Sequence, residues 1–133
     1  MIDRQVSPVV GETLKRHDRM RRRADFLRCY RQGRRKHGSL AVLYVAPNEC
    51  GRARLGLTVS RKVGGAVTRQ KVKRRIREVF RRWSERKNLP PLDLLVHVKP
   101  AAATASFLHT KEDLHQLFGQ LLTPNTSTSR AGS

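Results

Sequence analysis

The feature that most constrains the fold is a one-sided apolar stripe within residues 66–86. Its apolar side chains recur three and four residues apart, at Val72, Ile76, Val79, Phe80 and Trp83. That spacing is typical of an α-helix that buries a single face. We therefore expect a helix from Ala66 to Arg86 with Trp83 in the core, ended by Asn88 and the two prolines that follow.

Three segments of strand length flank this helix. Leu40–Ala46 is a continuous apolar run, and Arg54–Ser60 alternates apolar residues with small or polar ones. Turn-forming residues separate the two segments, so they are expected to pair as an antiparallel hairpin. Leu92–Lys99 follows the helix and predicts a third strand, closed by Pro100.

Two further helices complete the pattern. The first spans Ala24–Gln32, with Phe26 and Tyr30 one turn apart and Gly33 as its stop. The last carries an apolar face made of Leu114, Leu117, Phe118, Leu121 and Leu122. The resulting order, α-β-β-α-β-α, indicates an α+β fold in which helices cover one face of a small sheet.

A chain of 133 residues suffices for one domain with one core. We expect a flexible N-terminal arm at residues 1–13, a single domain at 14–122 and a disordered polar tail at 123–133. Most of the basic residues within the first 23 positions are expected to lie on a mobile, solvated segment. The sequence contains neither a secretory signal nor an apolar run long enough to span a membrane, so we expect a cytoplasmic protein with reduced cysteines.

The charge of the chain predicts its partners. Lys and Arg outnumber Asp and Glu by 29 to 10, which gives a net charge of +19. Such a charge favours a polyanion, namely RNA, DNA or, least of all, an anionic membrane. Within residues 61–86 only Glu78 and Glu85 oppose eleven basic residues. Because like charges one turn apart destabilise a helix, a phosphate-binding face is favoured over a merely solvated one.

The sequence offers no catalytic group of its own. Ser60–Gly65 places two glycines before a helix, where free N–H groups favour an anion, but the residue order of a Walker loop is missing. Cys29, Cys50 and the scattered histidines do not have the spacing of zinc ligands. Since no paired carboxylates and no Ser/His/Asp grouping occur either, we expect no catalytic residue and no tightly bound metal.

Three aromatic residues have two possible roles. Phe26 and Tyr30 on the first helix and Tyr44 on the first strand could stack on unpaired bases. They could equally pack in the core, and spacing alone slightly favours the core.

The segment RLGLTVSRKVGGAVTRQKVKRRIRE, residues 54–78, resembles the signature of the protein subunit of bacterial ribonuclease P. The family pattern continues outward through Arg23–Phe26, Tyr30 and Gly33, through Asp93–Pro100, and into the Leu-rich final helix. The resemblance thus covers about residues 14–122. Two departures occur, since Gly65 stands where the family usually has Asn, and Arg69-Gln70-Lys71 replaces Arg-Asn-Arg.

The resemblance implies a specific fold and role. The fold would be a small mixed four-stranded sheet covered by helices, with a left-handed βαβ crossover, as in the second domain of ribosomal protein S5. The expected partners are the catalytic RNA subunit and precursor tRNA, with neither DNA nor membrane. Phe26, Tyr30 and Tyr44 would then line a cleft for the 5′ leader of precursor tRNA. The residues expected to bind the RNA subunit are Ser60, Arg61, Lys62, Arg69, Gln70, Lys71, Lys73, Arg74 and Arg77.

The activity implied is accessory. The chain would assist endonucleolytic removal of the leader, while magnesium ions held mainly by the RNA subunit supply the chemistry. Two other functions stay open from the residues alone. A ribosomal or ribosome-assembly protein fits the composition, although not the signature at residues 54–78. A DNA-binding regulator would need two helices joined by a short turn, whereas strands flank the basic helix here.

Overall fold

A computed structural model of the chain describes residues 18–122. The expected arm at residues 1–13 and the expected tail at residues 123–133 lie outside the described residues. The described chain forms three helices, α1 to α3, and four strands, β1 to β4, which are α1 Arg23–Gln32, β1 Arg34–His37, β2 Ala41–Pro47, β3 Arg54–Thr58, α2 Ala66–Arg82, β4 Leu92–Val98 and α3 Phe107–Gly119. Short 3-10 turns follow α2, β4 and α3 at Ser84–Asn88, Pro100–Ala103 and Gln120–Leu122.

The four strands form one mixed sheet in the order β1-β2-β4-β3. β2 pairs antiparallel with both β1 and β4, and β3 pairs parallel with β4 through the α2 crossover. The α+β class and the mixed four-stranded sheet are confirmed. The left-handed sense of the crossover stays a prediction.

Two details of the predicted strand pattern are wrong. β2 and β3 do not form a hairpin, because the apolar strand β4 lies between them. The strand β1 was not predicted, and the element order is therefore α-β-β-β-α-β-α. Its sequence, Arg-Arg-Lys-His, is mostly exposed at the edge of the sheet, so it carries no apolar signal.

Helices cover both faces of the sheet rather than one. On the α2 face, α2 and α3 pack against Leu43, Val45, Leu94 and Val96, and the complete predicted stripe of α2 is buried there. On the opposite face, which we call the α1 face, Cys29 of α1 packs with Met20, Ala46 and Leu95. The central strands β2 and β4 read as continuous apolar runs because each has buried side chains on both faces.

The helix α2 ends earlier than expected. Gly65 caps its start, but at Trp83 the backbone is extended and a 3-10 turn begins at Ser84. Trp83 is buried with its ring 5.5 Å from that of Phe118, as its position on the apolar stripe predicted.

The segment before α1 is also better ordered than expected. Arg19 pairs with Leu55 at the outer edge of β3, where the Met20 amide donates to the Leu55 carbonyl over 2.8 Å. Met20 is buried beneath α1. These residues belong to the domain rather than to a mobile segment, because one apolar side chain among the arginines anchors the backbone.

Candidate nucleic-acid interface

The outward side of α2 carries a basic stripe, which we define as Arg69, Gln70, Lys71, Lys73, Arg74 and Arg77. Burial of Val72, Ile76, Val79 and Phe80 fixes the rotation of the helix and turns this side away from the core. Gln70, Lys71 and Arg74 are exposed, whereas Arg69, Lys73 and Arg77 are half-buried along the border of the apolar face. The helix thus presents some cations at its outermost surface and others closer to the core. Such an arrangement can contact phosphates along a curved polyanion.

The carboxylate of α2 is already neutralised at its C-terminal end. Glu78 accepts from Arg81 at 2.5 Å and also from Arg82. These arginines, Arg81 first, lower the pKa of Glu78. The first turn of α2 contains no acidic residue. Glu78 therefore offsets the positive charge of Arg81 and Arg82 in the last turn of α2. The positive charge of the basic stripe stays available to an external anion.

Two arginines of the basic stripe, Arg69 and Arg77, are half-buried. Burial, and then the nearby charge of Arg19, lowers the pKa of Arg77. Arg69 has a buried Nε that lacks a hydrogen-bond partner within residues 18–122. A buried unpaired donor is costly, so the conformation of the Arg69 side chain is not stabilised by a hydrogen bond at Nε.

Not every basic residue of α2 belongs to this surface. Arg75 points the other way and donates to the Ala105 carbonyl over 3.2 Å, which ties α2 to the segment before α3. Sequence position alone does not separate such a structural arginine from its neighbours.

The loop before α2 exposes three of the expected residues, Ser60, Arg61 and Lys62. The buried side chain of Val63 anchors the loop, and the Lys62 amide donates to Oγ of Ser60 at 3.3 Å. The N-cap Gly65 makes no side-chain cap, and a Cβ there would meet nothing within 4 Å. The start of α2 is thus open to an anion, in line with the sequence expectation.

Phe26, Tyr30 and Tyr44 come together on the α1 face, and we call this group the aromatic cleft. The rings of Tyr30 and Tyr44 lie 4.8 Å apart and nearly edge to face. Phe26 packs on Gly56, where a Cβ would lie 3.2 Å from its Cζ. All three side chains are half-buried against the small cluster under α1. The two roles left open by the sequence are therefore compatible, because each ring packs on the core and also keeps an exposed part.

The polar floor of the aromatic cleft comes from residues that sequence reasoning missed. The Tyr30 hydroxyl donates to Oγ1 of Thr58 over 2.9 Å and lies 2.9 Å from Nδ1 of His97. Thr58 and His97 are paired on adjacent strands, which places both side chains on the α1 face. Burial raises the pKa of the Tyr30 phenol, so the hydroxyl keeps its proton at neutral pH.

The unpredicted strand β1 adds basic residues beside the cleft. Arg35 pairs with Tyr44, and His37 pairs with Val42, so both lie on the α1 face. Arg35 is exposed next to the tyrosine. This cation is suitably placed to contact the backbone of a strand whose bases reach the aromatic cleft.

A buried ionic cluster holds α1 on the sheet. Asp93 of β4 is fully buried and accepts two hydrogen bonds from Arg54, both at 2.8 Å. Arg28 of α1 contacts the same carboxylate at 2.5 Å, and Asn48 donates to it at 2.8 Å. The bond to Asp93 raises the pKa of Arg54. This cluster ties α1, the helix that carries Phe26 and Tyr30, to strand β4 of the sheet.

The remaining titratable groups and helices of the described residues bear on whether the chain could hold a metal ion or span a membrane. No three His, Cys, Asp or Glu side chains within residues 18–122 are grouped so that they could hold a metal. Cys29 is buried, and that burial, followed by the charge of Asp93, raises its pKa to about 11. Over the same residues, no helix is long and apolar enough to cross a bilayer.

Comparisons with known proteins agree with this geometry. A family model described as ribonuclease P matches residues 14–122. The ribonuclease P protein component of Desulfovibrio desulfuricans is 44% identical over 96 residues, covering 70% of this chain and 72% of that protein. The component from Bacillus velezensis is 31% identical over 118 residues, covering 88% of this chain and 100% of the relative.

Solved structures give the same result. The Staphylococcus aureus RNase P protein superimposes with a TM-score of 0.71 at 32% identity, covering 77% of this chain and 94% of that one. The Thermotoga maritima RNase P protein gives a TM-score of 0.69 at 31% identity, with 77% and 96% covered.

Proposed function

Because the chain belongs to the ribonuclease P protein family, we propose that its two surfaces bind two RNAs in the processing of precursor tRNA. As a ribonuclease P protein component, it partners the RNA of that enzyme. We assign the basic stripe and the loop before it to the RNA subunit, and the aromatic cleft to the single-stranded 5′ leader. The observation that carries this proposal is the basic stripe, whose cations lie on a rigid helix without a neutralising carboxylate before Glu78.

The RNA-subunit surface would consist of the nine residues named from the sequence. Its loop part is Ser60, Arg61 and Lys62, and the rest are the six residues of the basic stripe. Where the family pattern has Arg, the exposed Lys71 would bind phosphate as a point charge rather than as a bidentate fork. The exposed Gln70 keeps an amide that can both donate and accept.

The leader surface would use stacking. Phe26, Tyr30 and Tyr44 present partly exposed rings on one face of the sheet. Bases of a single strand stack on such rings with little sequence preference, at about 1–3 kcal/mol per base. Leaders differ between precursor tRNAs, so a sequence-tolerant surface of this kind suits the substrate.

The cleavage chemistry would belong to the RNA subunit. Magnesium ions held there would activate water for hydrolysis of the phosphodiester. The side chains of residues 18–122 do not fit such a metal site, and we assign no chemical step to them. The protein would instead hold the leader and reduce repulsion between phosphates, which lowers the magnesium concentration that the complex needs. A precursor tRNA substrate would place this work in the cytoplasm.

The family match favours this function over a ribosomal or ribosome-assembly role. A DNA-binding regulator is disfavoured by architecture, because α2 lies between two strands of one sheet rather than in a helix-turn-helix.

A competition experiment tests the assignment. Fluorescent RNA subunit is bound to the full-length protein at about 150 mM salt and then challenged with ribosomal RNA fragments, duplex DNA or unlabelled RNA subunit. We expect the unlabelled subunit to compete at concentrations at least about tenfold lower than the others. Equal or better competition by ribosomal RNA would favour the assembly role, and preference for the duplex would favour a DNA regulator.

A further inference from the structure

A second basic surface lies on the α1 face, apart from the aromatic cleft. It is a depression of about 460 Å³ lined by Arg19, Arg21, Arg22, Asp25, Cys50, Arg52 and Arg54, which we call the arginine pocket. The lining thus contains five arginines and one carboxylate, while Asp93 and Asp18 outside the lining pair with Arg54 and Arg52. Arg54 also belongs to the ionic cluster that holds α1, but neither the sequence pattern nor the proposed function assigns the lining a role in binding RNA.

The position of the pocket separates it from the leader surface. β3 and β4 run parallel, with Arg54 beside Asp93 at one end and Thr58 beside His97 at the other. Asp25 and Arg28 contact the first end, whereas Tyr30 contacts the second. The arginine pocket and the aromatic cleft therefore lie on opposite flanks of α1.

The acidic side chains near the pocket are already paired. Asp25 lies 3.3 Å from Arg54 and 3.6 Å from Arg28, and Asp18 lies 3.9 Å from Arg52. Arg21 and Arg22 are exposed and pair with no carboxylate within residues 18–122. At least two guanidinium groups are thus available to an external anion.

The side chains that line the arginine pocket indicate which kind of anion it would bind. Guanidinium groups bind phosphate oxygens through paired hydrogen bonds, and an Arg cluster is typical of phosphate recognition. The lining contains no aromatic ring on which a base could stack. The pocket therefore suits a phosphodiester of a folded RNA rather than the base of a single strand.

The residues around the arginine pocket indicate which RNA it would bind. Arg19 pairs with the outer edge of β3, and its charge, after burial, contributes to lowering the pKa of Arg77 on the basic stripe. Asp18 also contacts Arg86, just after α2, at 3.5 Å. The arginine pocket and the basic stripe therefore both border the edge of β3, one on each face of the sheet.

We propose that the arginine pocket binds a phosphate of the ribonuclease P RNA subunit, as an extension of the surface formed by the basic stripe. This inference rests on the proposed function. It adds a contact around the edge of β3, on the side of α1 away from the leader. The RNA would then contact the protein on both faces of the sheet beside β3.

Cys50 provides a direct test. It is an exposed thiol in the lining of the pocket, and the other cysteine of the chain, Cys29, is buried. Iodoacetamide alkylation of Cys50 in the full chain, followed by mass spectrometry, should slow at least fivefold when RNA subunit is added to saturation. An unchanged rate with the RNA bound would overturn the proposal. Protection that appears only after precursor tRNA with a leader is added would also overturn it, because the leader would then occupy the pocket.

A charge-matched pair of variants gives a second test. Arg21→Ala/Arg22→Ala should weaken binding of the RNA subunit about tenfold and flatten the plot of log affinity against log salt by one to two units. Lys87→Ala/Lys111→Ala removes the same charge from exposed positions elsewhere and should change affinity less than about threefold. The ratio of affinities for precursor tRNA with and without its leader should stay unchanged in both assembled holoenzymes.

The outcomes separate the two proposals. If wild-type protein does not bind the RNA subunit, the proposed function fails and this inference fails with it. If Arg74→Ala weakens binding but the Arg21/Arg22 variant matches wild type, only the arginine pocket is refuted.

Discussion

The hydroxyl of Tyr30 lies between Oγ1 of Thr58 and Nδ1 of His97, 2.9 Å from each, and it joins α1 to the adjacent strands β3 and β4. The ring is thus held from its polar end before any RNA binds. A rigid ring loses little conformational entropy when a base stacks on it. The aromatic cleft is therefore preorganised.

This arrangement predicts different effects for two changes at Tyr30. Tyr30→Ala removes the ring and should weaken binding of a leader-bearing precursor by about 1–3 kcal/mol. Tyr30→Phe keeps the ring and should cost leader affinity less than about 1 kcal/mol, since only the positioning hydrogen bonds are lost. Both are measured as the affinity ratio of precursors with and without a leader, in the assembled holoenzyme. An equal loss with leaderless tRNA would show damaged packing and contradict the cleft assignment.

A second prediction concerns the buried carboxylate of Asp93. Asp93→Asn would leave Arg28 and Arg54 beside a neutral group and should lower the free energy of unfolding by about 3 kcal/mol. Urea denaturation measures this loss. The control Glu112→Gln, an exposed change on α3, should stay within about 0.5 kcal/mol of wild type. A loss below about 1 kcal/mol for Asp93→Asn would show that the ionic cluster does not hold α1 in place.

The third prediction concerns Gly65, where the family usually has Asn. The position has an extended backbone, no side-chain cap and open space for a Cβ. Gly65→Asn should therefore raise the free energy of unfolding by about 0.5–1 kcal/mol, through capping and through a less flexible unfolded chain. Thermal unfolding measures the gain. Destabilisation would contradict the described start of α2.

The fourth prediction tests the basic stripe. Alanine at Arg69, Lys71, Lys73, Arg74 or Arg77 should weaken RNA-subunit binding, and each lost phosphate contact should flatten the salt slope by about one unit. Arg75→Ala is the matched control, because Arg75 donates to the Ala105 carbonyl. Its replacement should lower the free energy of unfolding and leave the salt slope of RNA binding unchanged. Unchanged slopes for all five stripe variants would refute the docking assignment.

The spacing of apolar residues in the sequence correctly predicted the helices and their buried faces, because both depend on residues that are close in the chain. The apolar period of α2 gave both its buried face and the outward basic stripe. Phe26, Tyr30 and Tyr44 lie together on one face of the sheet, whereas their role in binding the leader stays a prediction that rests on the family resemblance.

The errors arose where distant residues decide the structure. The Tyr30 partners Thr58 and His97 are 28 and 67 positions away in the chain, so no local pattern indicated them. The predicted hairpin of β2 and β3 was wrong for the same reason. The strand β4 lies much later in the chain, and it pairs with both of them. β1 was missed because an exposed edge strand needs no apolar side chain.

The measurement that tests the central claim most directly is cleavage of a precursor tRNA by the cognate RNA subunit, with and without this protein, at about 2 mM magnesium. Stacked bases and screened phosphates should together contribute several kcal/mol, which predicts stimulation of at least about a hundredfold. Cleavage should occur at the mature 5′ end. If folded protein gave no stimulation while the same RNA was active alone at high magnesium, the account of this chain as a ribonuclease P subunit would be contradicted.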